Sequence, residues 1–314
     1  MKRKVIQIAG STQLVSLPRK WAQAHNVKKG DEVDVQEDGD KVIVSINSVP
    51  LIEKAEIDIS GLGNMTHRVL GSYYRAGVDE IKVIYDAPAL IETVYDSLNR
   101  ETMIGFEVLE QGSDYCLLKY VAGEIEGFDN VLRRVFLLLV NMSSECIRLL
   151  KERKFDVINS LSFLEKSNNR FTTICRRVLN KSTSLSGQAA IGPLYFIIES
   201  LENIADEYKY LAQHYAKLAN KKASFDKDAL ATFEKANSMV SLFSEAYYKF
   251  DISKLAEMKA IRDEVIDAAH DIFEKKVSSV DIWLTHHSIV LVTLVFNLVG
   301  PLIVTAAKQR NYKV

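Results

Sequence analysis

Cysteine is scarce in this sequence, and its three copies are far apart. Cys116, Cys146 and Cys175 show none of the paired spacings of zinc sites and suggest no framework of disulfide bonds. Net charge is also small, at -1 from 40 basic and 41 acidic side chains. Because no overall charge attracts the chain to nucleic acid or lipid, any such affinity has to be local. A reducing cytoplasm is the expected compartment.

The motifs of enzymes are missing as well. The sequence has no nucleophile and base constellation and no phosphate-binding loop. Gly61-Leu62-Gly63 has Thr66 where a dinucleotide fingerprint needs its third glycine. No apolar run near the start is long enough for a secretory signal. We therefore expect a cytoplasmic protein that is not an enzyme.

What is present predicts a folded chain of several domains, since 47% of its 314 residues are apolar. Residues 1–50 predict a small β-rich domain with strands at Lys4–Ile8, around Glu32–Gln36 and at Lys41–Ile46. A short helix is expected after Pro18, because proline suits the start of a helix. Fifty residues with few large apolar side chains make a thin core, so a partner subunit is expected to complete it.

Charge is segregated within this domain. Residues 1–30 carry seven basic side chains and no acidic one, whereas residues 31–40 carry six acidic ones. A dimer would double the basic set, and neutralising DNA phosphates releases counterions and gives salt-dependent affinity. The alternative is a set of solvated side chains on a module that only dimerises or binds a protein. The candidate DNA-binding residues are Arg3, Lys4, Arg19, Lys20, Lys28 and Lys29.

The segment RKVIQIAGSTQLVSLPRKWAQAHNVKKGDEVDV, residues 3–35, resembles the AbrB/SpoVT-type swapped-hairpin domain. The likeness lies in its first strand, its Leu-Pro helix start and its Lys-Lys-Gly-Asp-Glu-Val return. The resemblance implies an obligate homodimer whose interleaved hairpins form one β barrel. It also implies DNA binding through basic residues, as in many relatives.

Residues 51–125 predict a small α/β module, to which we assign no chemistry. Apolar alternation and turn signals place its elements in the order βαβαββ. The expected strands are Ala55–Ile59, Glu80–Tyr85, Ile104–Leu109 and Tyr115–Val121, and the expected helices are Met65–Arg75 and Leu90–Leu98.

Residues 126–314 are predicted to be helical. Short linkers between the periodic segments favour antiparallel neighbours, and two three-helix bundles, at about 126–221 and 222–314, are the simplest arrangement. The expected helices lie near 129–152, 155–180, 188–220, 226–249, 251–277 and 281–310. The predicted fold class is therefore α+β and multidomain, with a swapped-hairpin β barrel, an α/β module and an all-α region.

Two pairs of carboxylates lie one helical turn apart in the helical region. Glu202 with Asp206, and Asp263 with Asp267, can each point to one place, and such oxygen donors suit a hard cation. The plainer interpretation is a solvated helix face, because each pair lies opposite an apolar stripe. The separate residues His214 and His270 lack zinc-like spacing and are expected to be surface or satisfied histidines.

Residues 201–206, Leu-Glu-Asn-Ile-Ala-Asp, resemble the Glu-x-x-x-Asp signature of the PhoU family of phosphate-uptake regulators. The resemblance covers roughly residues 126–314 and implies two three-helix bundles that bind divalent or ferric ions. Asn169, Phe296 and Gly300 depart from the acidic pattern, so a reduced or absent metal cluster is an open alternative. The implied ligands are Glu165, Glu202, Asp206, Asp263 and Asp267.

Residues 282–307 contain no Lys, Arg, Asp or Glu. A run of that length is long enough to span a bilayer, and three basic residues follow it, as in a tail anchor with a cytoplasmic end. Asn297, Gly300 and Pro301 interrupt it, and a central bundle helix has much the same composition. The preferred interpretation is a buried helix, and a membrane anchor is the alternative.

Together these patterns predict a cytoplasmic, dimeric regulator of phosphate uptake that binds DNA through its N-terminal domain. The helical bundles are expected to sense a metal or a partner, and the phosphate response comes from the resemblance alone. Phosphate-transporter or signalling proteins are the expected protein partners. The alternative is an adaptor that does not bind DNA and regulates a phosphate transporter at the membrane. In that case the N-terminal domain only dimerises.

Overall fold

The computed structural model describes residues 2–8, 10, 12–38, 41–46, 53–123, 127–181, 191–218, 224–275 and 277–309. Within these ranges the chain is α+β, with short strands at the N-terminal end and long helices towards the C-terminal end, which confirms the α+β part of the prediction. It divides into two compact units, Met1–Leu51 and Ile52–Val314.

The first unit has two antiparallel hairpins, β1 with β2 and β3 with β4, and one short helix. Pro18 immediately precedes that helix, as predicted. Gly30 has a φ of 97°, a left-handed conformation that glycine adopts without strain. The strand β2 was not predicted, because three residues are too few to show a clear alternation. The elements are β1 (Ile6–Ile8), β2 (Thr12–Leu14), α1 (Arg19–Ala24), β3 (Asp34–Asp38) and β4 (Lys41–Ser45).

The second unit begins with an α/β module whose sheet has the strand order β5-β6-β8-β7. β5 and β6 are parallel, and the other neighbours are antiparallel. Gly77, with a φ of 95°, ends α2 and lies so close to Lys181 that a Cβ there would be 2.5 Å from Lys181 Cγ. The elements are β5 (Lys54–Asp58), a 3-10 turn (Gly63–Met65), α2 (Thr66–Ala76), β6 (Glu80–Ile84), α3 (Leu90–Leu98), β7 (Phe106–Gln111) and β8 (Tyr115–Tyr120).

The rest of the second unit is helical. The helices α4, α5 and α6 pack against one another, and so do α7, α8 and α9, while α9 and α10 also pack on α6 and α4 packs on α7. One apolar core runs through both groups. The helices are α4 (Phe128–Lys151), α5 (Leu161–Lys181, after a 3-10 turn at Ile158–Ser160), α6 (Ile191–Ala216), α7 (Lys227–Tyr248), α8 (Ile252–Glu274), α9 (Ser279–Phe296) and α10 (Val299–Gln309).

Arg177 of α5 joins the helices to the α/β module. Its side chain is 1% exposed and donates hydrogen bonds to the backbone oxygens of Tyr74 and Val78, at 2.9 and 2.8 Å. It also donates to Asp79 Oδ1 at 2.5 Å, and its guanidinium carbon lies 4.4 Å from the ring centroid of Tyr120. Because these partners come from the end of α2, the start of β6 and the end of β8, one side chain ties the module to α5.

The apolar run near the C-terminal end forms two helices rather than one. Within the described residues, Ser279–Ala307 is long and apolar enough to cross a membrane, and 39% of its most apolar window is buried inside the protein. Leu284, Leu291 and Val292 lie in the shared core, whereas Trp283 and Ile303 are 44% exposed. The run therefore has one face in the core and one apolar face outside it.

Candidate functional site

The six basic residues singled out in the first unit lie at three places on it, and all six are exposed. Arg3 and Lys4 precede β1, Arg19 and Lys20 form the first two residues of α1, and the third pair follows α1. The third pair is Lys28 and Lys29.

Local hydrogen bonds fix the turn that carries this third pair. The backbone N–H of Val27 donates to Ala22 O at 2.8 Å, and the N–H of Lys28 donates to Asp31 Oδ2 at 2.7 Å. The left-handed Gly30 then redirects the chain. The turn holds Lys28 and Lys29 at the surface, where their ammonium groups are open to a phosphate or carboxylate partner.

The first unit buries none of the residues that the structure describes in it. Seven of its apolar side chains are instead 45% to 64% exposed, and hairpins of this size are marginally stable in water on their own. An apolar surface of this kind is stable when a partner covers it. The exposed apolar residues are Val5, Ile6, Ile8, Leu14, Val15, Val35 and Val42.

Three of the five predicted metal ligands lie along the contact between α5 and α6. Glu165 accepts a hydrogen bond from Asn169 Nδ2 at 2.6 Å and one from Lys209 Nζ at 2.8 Å, and Lys209 also pairs with Asp206 at 2.5 Å. Burial raises the pKa of the Glu165 carboxyl. Burial lowers the pKa of Lys209, but its hydrogen bonds to Asp206 and Glu165 outweigh that effect and raise it overall. Lys209 is therefore a charged partner shared by two carboxylates.

Glu202 is held by a different cation. Arg176, whose side chain is 2% exposed, forms ion pairs with Glu199 and Glu202, and Thr172 Oγ1 donates to Glu202 at 2.8 Å. A metal ion bound by Glu202 and Asp206 would have to compete with Arg176 and Lys209 for the same oxygens.

The other two predicted ligands lie apart from these, on α8. Asp263 is half exposed and pairs with Lys259 and with Arg262, the latter at 3.5 Å, while Asp267 is exposed. Arg262 also lies 4.9 Å from the ring centroid of Phe296, one of the residues that departs from the acidic pattern. The place expected for a carboxylate thus holds an aromatic ring under a guanidinium.

Among the described residues, no group of three or more His, Cys, Asp or Glu side chains is placed to hold a metal ion. Lysine and arginine side chains neutralise most of the carboxylates in question. Metal binding by these five residues therefore stays a prediction.

Comparison with known proteins bears on the first unit only. A family model described as antidote-toxin recognition MazE, bacterial antitoxin, matches residues 6–49. No curated protein matches the chain, and no solved structure matches it. Domains of the MazE/AbrB-like class typically dimerise and bind DNA or toxin partners. The N-terminal segment is therefore similar to a MazE/AbrB-like domain, in agreement with the expected swapped-hairpin domain, and this similarity suggests DNA-binding or antitoxin-type regulation.

Proposed function

We propose that this protein is a dimeric, DNA-binding regulator whose first unit is completed by a second copy of the chain. The observation that carries the proposal is the combination, in a segment matched by the MazE model, of an uncovered apolar surface with six exposed basic side chains. The apolar surface supplies the reason to dimerise, and the basic residues supply the affinity for phosphate groups.

In the proposed dimer, the hairpins of the two chains interleave into one β barrel. Covering apolar surface contributes roughly 25 cal/mol for each Å² removed from water, so side chains such as Ile6 and Val42 would drive association. Duplication doubles the six basic positions on one particle. Phosphate contacts alone position a protein on DNA, so the recognised base sequence would depend on further contacts.

The second unit is proposed to be the sensor or partner-binding region, in the cytoplasm and without a catalytic step. The resemblance of residues 126–314 to the PhoU family supports phosphate as the signal. The predicted metal ligands Glu165, Glu202 and Asp206, with Asp263 and Asp267, would serve that sensing role if ions displaced the basic side chains now paired with them.

The test is DNA binding by the full chain across a series of salt concentrations. The double variant Arg19→Glu/Lys20→Glu is compared with Lys166→Glu/Arg170→Glu, which reverses two exposed charges on α5. Each neutralised phosphate contributes about 0.9 to the slope of log K against log salt, so losing two contacts from each protomer lowers the slope by about 3 to 4. The α5 variant is expected to bind like the parent chain. A folded dimer that fails to bind at low salt, or an Arg19/Lys20 variant with the parent's slope, would overturn the proposal.

A second candidate is recognition of a protein partner, and the antitoxin description of the matching family favours it. The same dimer would then present its surface to an acidic protein rather than to DNA. A folded dimer that binds neither DNA nor an acidic protein would support the third role, that of an adaptor at a phosphate transporter. Co-purification of the parent chain and of the Arg19/Lys20 variant from cells distinguishes the acidic protein partner from the transporter. Charge reversal should disrupt binding to an acidic protein and leave association with a transporter intact.

A further inference from the structure

Three of the six histidines in the chain gather where α6 packs against α9. The ring centroids of His214 and His287 are 6.5 Å apart, and those of His286 and His287 are 5.6 Å apart. Trp283 lies beside them, with its ring centroid 4.6 Å from that of His214. His214 lies on a different helix from the other three residues, so the packing of the two helices brings it to them.

His287 is buried and has one ring nitrogen without a partner. The residue is 4% exposed, and its Nδ1 lies 2.5 Å from Glu207 Oε1. A carboxylate accepts hydrogen bonds, so Nδ1 donates to Glu207, and in the neutral ring Nε2 is the nitrogen that has a lone pair. Nε2 is buried and has no hydrogen-bond partner within the part of the chain that the structure describes. Buried polar atoms are rarely left unpaired, so this nitrogen calls for an explanation.

His214 offers a second imidazole on the neighbouring helix. It is half-buried, and burial lowers its pKa, with further lowering from the nearby His287 and Lys217. In its neutral form this ring also has a nitrogen lone pair that a metal ion can use. Lys217 adds some repulsion for a cation, and the carboxylate of Glu207, two helical turns before His214, opposes that repulsion.

We propose that His214 and His287 bind a late first-row transition-metal ion such as Zn²⁺ or Cu²⁺, with Glu207 orienting His287. Neutral imidazole suits these ions, and histidine ligands usually donate their other N–H to a carboxylate or a carbonyl. Glu207 fills that supporting role rather than acting as a ligand, so water completes the coordination. This site is separate from the carboxylates of the sequence prediction.

The geometry needs only a small adjustment. With bonds of about 2.1 Å to one tetrahedral ion, two imidazole rings have centroids about 5.3 Å apart, so the rings have to approach by about 1.2 Å. His214 is half-buried whereas His287 is buried, so the ring of His214 is the one expected to move. The bound ion would bridge α6 of the first helix group and α9 of the second, and so stabilise the packing of the two groups.

Fluorescence of Trp283 gives a direct measurement. The chain has two tryptophans, so Trp21→Phe in the full-length, untagged protein leaves Trp283 as the sole reporter. Titration with Cu²⁺, a paramagnetic quencher, is expected to give saturable quenching at one ion per chain, and Zn²⁺ is expected to compete. His287→Gln and His214→Gln should each weaken binding by about tenfold or more. The control is His270→Gln, which changes an exposed histidine on α8 and should leave binding unchanged.

A second measurement guards against a folding defect. In His287→Gln, the glutamine amide still donates to Glu207, and the melting temperature without metal should stay close to that of the parent. Zn²⁺ should raise the melting temperature of the parent and of His270→Gln, but not of the two site variants, because an ion that binds only the folded state stabilises it. Absence of saturable quenching, or equal quenching in the parent and both site variants, would overturn the proposal.

Discussion

Valine residues show how differently the two units of this chain are built. Val35 and Val42 of the first unit are 60% and 64% exposed, whereas Val83 and Val292 of the second are fully buried. The first unit has hairpins without a core of its own, and the second closes a continuous core around buried polar links such as Arg177. Stability is therefore expected to depend on a partner in the first unit and on internal contacts in the second.

Substitution of Arg177 should cause the largest loss of unfolding free energy in the second unit. Arg177→Ala removes three hydrogen bonds. Tyr74 O keeps only its bond from the Gly77 N–H, Val78 O loses its side-chain donor, and Asp79 is left with Lys181 as its remaining cation. Breaking a buried pair of this kind costs about 3 to 5 kcal/mol of unfolding free energy. Urea unfolding followed by Trp283 fluorescence, in a Trp21→Phe chain, measures it.

The matched control is Arg170→Ala, an exposed arginine on the same helix, which should change the unfolding free energy by less than about 0.5 kcal/mol. Equal effects of the two substitutions would show that the contacts of Arg177 do not determine the stability of the second unit.

Protein concentration should distinguish the first unit from the second. In a Trp283→Phe chain, Trp21 reports on the first unit, and its unfolding midpoint should rise with concentration because association stabilises the folded form. A hundredfold increase corresponds to about 2.7 kcal/mol by mass action. The transition seen by Trp283 should not move. A Trp21 midpoint that is independent of concentration would contradict a unit completed by a second copy.

The sequence predicted most elements of the second unit because their signals are local. The expected strands and helices of the α/β module overlap those observed, and α7 and α8 begin directly after Asp226 and Asp251, whose carboxylates accept hydrogen bonds from the first-turn backbone. The single helix expected over 281–310 is divided at Asn297 and Leu298. The lack of charged residues shows that this run is apolar, but it does not show where the helix is interrupted.

The candidate sites were predictable only where a site lies within one segment. The exposed pairs Arg19 with Lys20 and Lys28 with Lys29 are visible as charge clusters. The partners of Arg177 lie about one hundred residues before it, and no periodicity in α5 indicates them. Residue spacing along a chain shows which side chains share one face of a helix. It does not show which other face they contact, because that depends on the tertiary packing.

Substitution of Tyr208 should cause a smaller loss of unfolding free energy in the second unit than substitution of Arg177. Its hydroxyl donates to Asn237 Oδ1 at 2.6 Å, and Asn237 Nδ2 donates to Ser143 O at 3.1 Å, which links α6, α7 and α4. Tyr208→Phe leaves a buried acceptor unpaired and should cost about 1 to 2 kcal/mol in urea unfolding. Tyr210→Phe, which removes the hydroxyl of a tyrosine that is 52% exposed, should cost nearly nothing. Similar losses in both variants would mean that this hydrogen-bonded chain adds little.

The smallest effect is expected for the alkylation rate of the cysteines when the first unit is removed. All three cysteines lie in the second unit and are buried, and burial raises the pKa of Cys116 to about 11 and that of Cys175 to about 12. At pH 8 a thiol of pKa 11 is about 0.1% thiolate, the reactive form, so alkylation of the native protein should be slow and should accelerate as the pH rises towards 11.

Deletion of residues 1–51 should leave this rate within about twofold of the parent's, because the side chains that bury the thiols belong to the second unit. Mass spectrometry after timed labelling measures each thiol separately, and denaturant should expose all three in both proteins. Faster labelling of the shortened chain under native conditions would show that the first unit protects the second, and the two would then have to be treated as one cooperative structure.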